Sequence, residues 1–357
     1  MKFLIVFFLT MSLAFTAFSK QVEGLYEARV VVPSQSIESR KEGAKQGLAD
    51  VLYKVSGFPV PVSHPVIERA LSIADQYLYQ FSFTRVDESD WSAEIAPGSS
   101  YLIMSFEGKS VQRIIKEAKL PRWGANRPTI MTWVAIDDGK REMLTEASGN
   151  KGLSLLKEAA HKRGLPLILP IYDLEDSIKL PMVQLWGLFK DGILGASNRY
   201  GAESVLAGRI YKPNADTWVG NWRFYFKDNE YEYEFTSQTL DQQLLWGLSG
   251  GAKVLADAFA LKPSSVKRGA LVVSISKLDS LEDYGRLLNY LNKLAITKQV
   301  SLLKMKEDEA QIELTLNGTF AQLIQALSLD KKLVTKNVIK SNEGDLEEPM
   351  PNFIWQP

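Results

Sequence analysis

The chain has 357 residues, 45% hydrophobic and 24% charged, the proportions of a folded protein long enough for two or three domains. Lys plus Arg and Asp plus Glu both number 42, so no net field draws nucleic acid to the surface, and nucleic acid is not an expected partner. There is no cysteine and there are only two histidines, His64 and His161, which excludes disulfides, thiolate metal centres, cysteine nucleophiles and a lipid anchor on an N-terminal cysteine.

Lys2, the apolar run Phe3 to Phe15 and the small residues Ala17 and Ser19 have the three parts of a secretory signal peptide, with cleavage expected after Ser19. The run is shorter than the roughly 20 residues that span a bilayer, and no later stretch is long enough to do so. The mature chain is therefore expected in the periplasm without a transmembrane segment.

Residues 20–120 read as a first α+β domain. Gly24 to Val32 is a predicted strand. Ser39-x-x-Glu42 has capping-box spacing, and Ala44, Leu48, Val51, Leu52 and Val55 continue a helix up to Gly57. A second helix starts at Ser63 and Pro65. Strands follow at Tyr79 to Val86 and Tyr101 to Glu107, then a helix bearing Val111, Ile114 and Ile115. Leu120 to Pro128, with two prolines and Gly124, breaks every period and marks a boundary.

Residues 128–262 alternate strand and helix and predict a three-layer α/β domain. One helical region is expected from Met182 to Tyr200. Thr217 to Lys227 and Glu230 to Thr236 alternate strictly about Asp228-Asn229 and predict a hairpin. A long helix over Leu240 to Leu261 closes the domain. Residues 268–340 follow β-α-β-β-α-β, the ferredoxin-like order, with Thr319-x-x-Gln322 as a cap. Residues 341–357 form an acidic, Pro-containing tail outside the core. Its Phe353, Ile354 and Trp355 either dock back onto a groove or offer a peptide to a partner. The fold class is thus α+β, with three small domains in series.

No catalytic centre emerges. Gly247-Leu248-Ser249-Gly250-Gly251 satisfies G-x-S-x-G, but it lies within a helical stretch and both histidines precede it, so it reads as helix packing. His64 reads as a helix-start residue and His161, beside Lys162 and Arg163, as part of a solvated face; no metal or cofactor is expected. The carboxylates Asp137, Asp138, Asp173, Glu175 and Asp176 lie on turns. A carboxylate-dependent hydrolase built on them is one alternative reading. Trp218, Trp222, Phe224 and Phe226 share one strand face, expected as core, while a peptidoglycan-binding platform of exposed tryptophans is the other alternative.

The stretch Ala196 to Arg209, read as Ala-Ser-Asn-Arg-Tyr-Gly-Ala-Glu-Ser-Val-Leu-Ala-Gly-Arg, is followed by Trp218-x-Gly220-x-Trp222. With Leu25-Tyr26-Glu27-Ala28 and the helix end Val55-Ser56-Gly57, it resembles the bacterial envelope family called domain of unknown function 2066 (DUF2066), which implies no activity. The middle domain also resembles the N-terminal domain of the Tol-system periplasmic protein TolB and the CsgG-like curli-secretion group, whose members bind other envelope proteins. The resemblances imply a non-catalytic binding or scaffolding module with envelope proteins as partners. Its candidate binding residues are Arg199, Tyr200, Arg209, Trp218 and Trp222.

Overall fold

A computed structural model of the protein describes residues 22–86, 95, 98–263, 270–329, 332–336 and 351–356. The expected leader at 1–19 lies outside the described residues. The protein is α+β, built around three sheets.

In the first unit, β1 (Glu27–Val32) is followed by α1 (Ile37–Ser56), α2 (Pro65–Ser72), β2 (Leu78–Arg85), β3 (Ser100–Phe106) and α3 (Gly108–Glu117). The strands form an antiparallel sheet in the order β1-β3-β2. Ala28, Val30, Leu102 and Met104 point inward and pack against Leu48, Val51 and Leu52 of α1. The start of α1 corrects the expectation from spacing. Ser36, not Ser39, is the N-cap; its backbone is extended and its hydroxyl accepts from the Ser39 N–H. The helix therefore begins a turn earlier and leaves Glu42 inside it, where it pairs with Lys45. His64 is the N-cap of α2, its Nδ1 accepting from the Val66 N–H at 3.3 Å.

The expected boundary at 120–128 is a packed crossing rather than a free linker. Trp123 is buried, and its N–H donates to Val55 O at 2.7 Å. Arg122 and Leu261 exchange backbone hydrogen bonds of 3.0 and 2.9 Å. Non-local partners satisfy a segment that has no period of its own.

The middle unit contains β4 (Ile130–Asp137), β5 (Arg141–Leu144), α4 (Lys151–Arg163), β6 (Leu167–Ile168), α5 (Leu174–Lys179), α6 (Met182–Trp186), α7 (Lys190–Ser197), β7 (Ser204–Asn214), β8 (Thr217–Phe226), β9 (Asn229–Ser237) and α8 (Leu240–Phe259). The sheet runs β5-β4-β7-β8-β9, with β6 added in parallel to β4. Strict alternation divides it into two apolar faces. Ile130, Val134, Leu206, Ile210, Trp222 and Phe224 face α4 and α8; Met131, Trp133, Ala135, Val205 and Ala207 face α6 and α7. The single helix expected over 182–200 is instead broken. Leu188 takes a positive φ of 52°, which ends α6 and lets the chain turn into α7. Gly201, at φ 62°, makes the tight turn from helix to β7.

The third unit comprises β10 (Ala270–Ser276), α9 (Leu281–Lys293), β11 (Thr297–Lys306), β12 (Glu309–Leu316), α10 (Phe320–Ser328) and β13 (Leu333–Thr335), the expected β-α-β-β-α-β order. The Thr319/Gln322 capping box is formed. The tail takes one of its two expected courses and docks back, although it does so within the core instead of outside it. It forms β14 (Asn352–Trp355) and enters the sheet between β10 and β13, giving the order β11-β12-β10-β14-β13. Phe353 and Trp355 are each 2% exposed, so they are core side chains and not a free partner peptide; Ile354, on the opposite side, is half-buried. Among the described residues no helix is long and apolar enough to cross a membrane.

Candidate functional site

Asp173 caps the start of α5, accepting from the Asp176 N–H at 3.1 Å. The short turn Asn198–Tyr200 brings Arg199 and Tyr200 against that helix start. Arg199 grips Asp173 with both terminal nitrogens, at 2.7 and 2.9 Å, and reaches Asp176 at 3.2 Å. Asp176 is fully buried and also accepts from the Tyr172 N–H at 3.0 Å and from the Tyr200 hydroxyl. The Tyr200 oxygen in turn accepts from the Ile171 N–H at 3.0 Å. Trp133 meets the Tyr200 ring edge-on from the core and donates from its indole to Ser197 at 2.9 Å.

This network fixes its protonation states. The hydrogen bonds from Arg199 hold the Asp173 carboxyl down at about 2. The same pairing raises Arg199 above its already high value. Burial, and then the Asp176 carboxylate, pushes Tyr200 up to about 12. Two carboxylates thus share one guanidinium, and every charged group of the cluster is hydrogen-bonded within it.

Around it exposed apolar side chains are interspersed with charged ones such as Glu175 and Lys179. Ile171, Leu174, Ile178, Val183 and Phe189 are 59–76% exposed, all within the α5 to α7 layer. Leu174 and Ile178 lie one turn apart and share one side of α5. Isolated exposed apolar residues are ordinary, whereas five in one short stretch have the composition of an interaction face.

The five residues singled out in the sequence do not converge. Arg199 and Tyr200 meet at the α5 network. Arg209 stands apart, donating to Asn221 at 3.0 Å and to the Trp186 carbonyl at 3.2 Å; the Trp186 ring carries the Arg141 guanidinium at 3.7 Å. Trp218 and Trp222 are buried on the other side of the sheet, against α4 and α8, so they form no exposed glycan platform. The alternation already favoured that outcome, since the strand face is too apolar to be left wet. The remaining carboxylates are also paired, Asp137 with Arg141 and Asp138 with Lys212.

A second cluster, at the seam between the first two units, has no signature in the sequence. Arg127 is fully buried, and its five N–H groups all donate to backbone carbonyls: Gly124, Trp123, Lys54, Arg163 and Gly164, at 2.6–3.1 Å. Among the described residues no carboxylate pairs with it. Several of those carbonyls belong to the C-terminal ends of α1 and α4, whose dipoles supply the negative potential in place of a counter-ion. Gly164 allows the approach, with φ at 62° and only 2.8 Å between an added Cβ and the guanidinium. Beside it, Lys54 is buried and donates to Gly24 O and Glu27 O at 3.1 and 2.8 Å. Burial, and then the Arg127 charge, draws the Lys54 ammonium down to about 8.

His161 belongs to this seam, not to a solvated face. Burial and then Lys54 draw its imidazole down to about 4, and it borders a cavity of about 360 Å³ with Val22, Lys157, Gly164 and Leu167. The seam is further held by an Arg29–Glu158 ion pair and by Arg163 stacked 4.0 Å from the Tyr53 ring centre.

The arrangement is that of an α+β protein with several exposed apolar side chains on the α5 to α7 segment and a hydrogen-bonded seam between its first two units. Residues 19–124 match the family described as a domain of unknown function (DUF8605), a span that ends one residue beyond the buried Trp123. No curated protein matches the chain.

Proposed function

We propose that the protein is an exported, non-catalytic binding module that engages other cell-envelope proteins through the α5 to α7 face. The observation that carries this reading is the exposure of Ile171, Leu174, Ile178, Val183 and Phe189 around a polar anchor whose charged groups are hydrogen-bonded to one another. A hydrogen-bonded polar centre with exposed apolar side chains around it limits the entropy lost on docking. The signal-peptide pattern at 1–19 supports an extracytoplasmic setting. The resemblance of 196–209 to DUF2066, and of the middle unit to the TolB and CsgG-like group, supports envelope proteins as the partner class. The DUF2066 resemblance also draws on Leu25 to Ala28 and Val55 to Gly57, which fall inside the span that matches DUF8605.

The test is photo-crosslinking in intact cells. A photoreactive side chain replaces Leu174 or Val183, and a third chain carries it at the exposed Lys253 of α8 as a control. A discrete adduct from 174 and 183, absent from 253, supports the reading. Identical patterns at all three positions would defeat it.

A further inference from the structure

The third unit has its last strand in an unusual place. In a β-α-β-β-α-β unit the final strand would close the sheet against the first, yet here the chain tail lies between them. β14 runs parallel to β10, pairing Ser274, Ile275 and Ser276 with Asn352, Phe353 and Ile354. On its other side it runs antiparallel to β13, pairing Leu333, Val334 and Thr335 with Trp355, Ile354 and Phe353. The Ser274 N–H donates to Pro351 O at 3.0 Å, the Lys336 N–H to Asn352 O at 2.9 Å and the Gln356 N–H to Lys332 O at 2.8 Å. Phe353 and Trp355 fill the core below, with the Trp355 ring centre 5.7 Å from that of Tyr290.

No short turn ties β14 to either neighbour. Residues 336–351 separate it from β13, a length that at about 3.3 Å per extended residue reaches tens of ångströms. By chain length alone, a four-residue strand so far from β13 in sequence can reach a neighbouring molecule. An empty slot would leave two unpaired strand edges and an apolar cavity, so some extended chain must fill it.

We propose that the slot between β10 and β13 is a strand-acceptor site, and that its partner in trans is the tail of a second copy of this chain. Reciprocal exchange of Asn352–Trp355 gives a strand-swapped dimer. The second copy supplies the same backbone donors and acceptors and the same two aromatic side chains. Exchange thus leaves the slot's contacts unchanged, and concentration sets the balance between the closed monomer and the dimer.

The chain has no cysteine, and Ser276 and Ile354 are register partners, so a disulfide at that pair reports which tail occupies which slot. Full-length Ser276→Cys and full-length Ile354→Cys proteins, distinguishable by mass, are mixed at increasing concentration, equilibrated and oxidised. The expected product is a covalent heterodimer whose yield rises with concentration and is lost in excess synthetic peptide of residues 351–357. The double variant Ser276→Cys/Ile354→Cys, oxidised at high dilution, should close its disulfide within one chain. A mixture that stays monomeric at every concentration while the double variant closes internally overturns the exchange. A heterodimer yield indifferent to the peptide, or a double variant that never closes, overturns the slot itself.

Discussion

Gly247 of α8 lies directly on the indole of Trp222: a Cβ at position 247 would stand 2.1 Å from its Cζ2. From the neighbouring strand Gly208, the register partner of Trp222, leaves a gap just as tight, 2.5 Å to the same ring. The tryptophan is held between two glycines, and the G-x-S-x-G spacing around Ser249 is a by-product of that packing. Gly247→Ala gains up to about 1 kcal/mol of helix propensity, but it must displace the ring or the helix, at a cost of about 1–3 kcal/mol or more. The variant is expected to unfold at lower urea concentration than the parent. An unchanged or higher midpoint would contradict the packing account.

Replacing Arg127 should be among the most costly single changes in the chain. Arg127→Met leaves five carbonyl acceptors without their donors in a closed site, an expected loss of about 3–5 kcal/mol. Arg127→Lys, with three donors for five acceptors, should fall between the parent and Met. Denaturant titration checks the order, and a Met variant as stable as the parent would refute the seam.

Lys54 gives the seam a pH signature. Its ammonium is held at about 8 in the folded protein against an ordinary 10.5, so between those values the unfolded chain binds more protons and stability rises with pH. The two hydrogens of the neutral amine suffice for its two carbonyl partners. Stability measured from pH 8 to pH 10 should increase in the parent, and the slope should flatten in Lys54→Met. His161 acts in the same sense at lower pH. With its imidazole held near 4, below the ordinary 6.5, stability is lost as pH falls from 6.5 towards 4, and His161→Gln should reduce that loss.

Tyr200→Phe removes a donor from the buried Asp176 and an acceptor from the Ile171 N–H. The expected cost is about 1–3 kcal/mol, with faster amide exchange confined to 171–179. Exchange that speeds up across the whole middle unit instead would show that the network braces more than α5.

Trp355→Ala opens a cavity in the third unit, at about 3–5 kcal/mol. The third unit holds no other tryptophan, so unfolding is followed by far-UV circular dichroism and by amide exchange, which should show an early transition confined to the third unit. A single unshifted transition would count against the docked tail.

The sheets were legible because alternation and helical spacing are local. The shared face of Trp218, Trp222, Phe224 and Phe226 follows from position parity, and the third unit followed its β-α-β-β-α-β order. The candidate site was legible only in part. Arg199 and Tyr200 could be singled out, but their partners Asp173 and Asp176 lie more than 20 residues earlier and are brought close only by the break between α6 and α7. Arg127 was invisible because its partners are carbonyls, which every residue carries, and the tail strand because four residues give too little alternation to reveal a slot formed elsewhere. The α1 cap was misplaced by one turn because Ser36 and Ser39 are both competent, and only backbone geometry chooses between them.

The mutual hydrogen bonds of Arg122 and Leu261 bring together the points where the chain enters and leaves the middle unit, and Gly124 sits against Ala295 of the third unit at the same place. The 138 intervening residues begin and end at that point, and they also meet the first unit along the seam where Arg127 donates to Lys54 O and Glu158 pairs with Arg29, so the two junctions keep the outer units adjacent while the seam fixes the middle unit against the first. A replacement middle unit would therefore have to bring its own cation to the α1 carbonyl that Arg127 now occupies, not merely join the chain at Arg122 and Leu261.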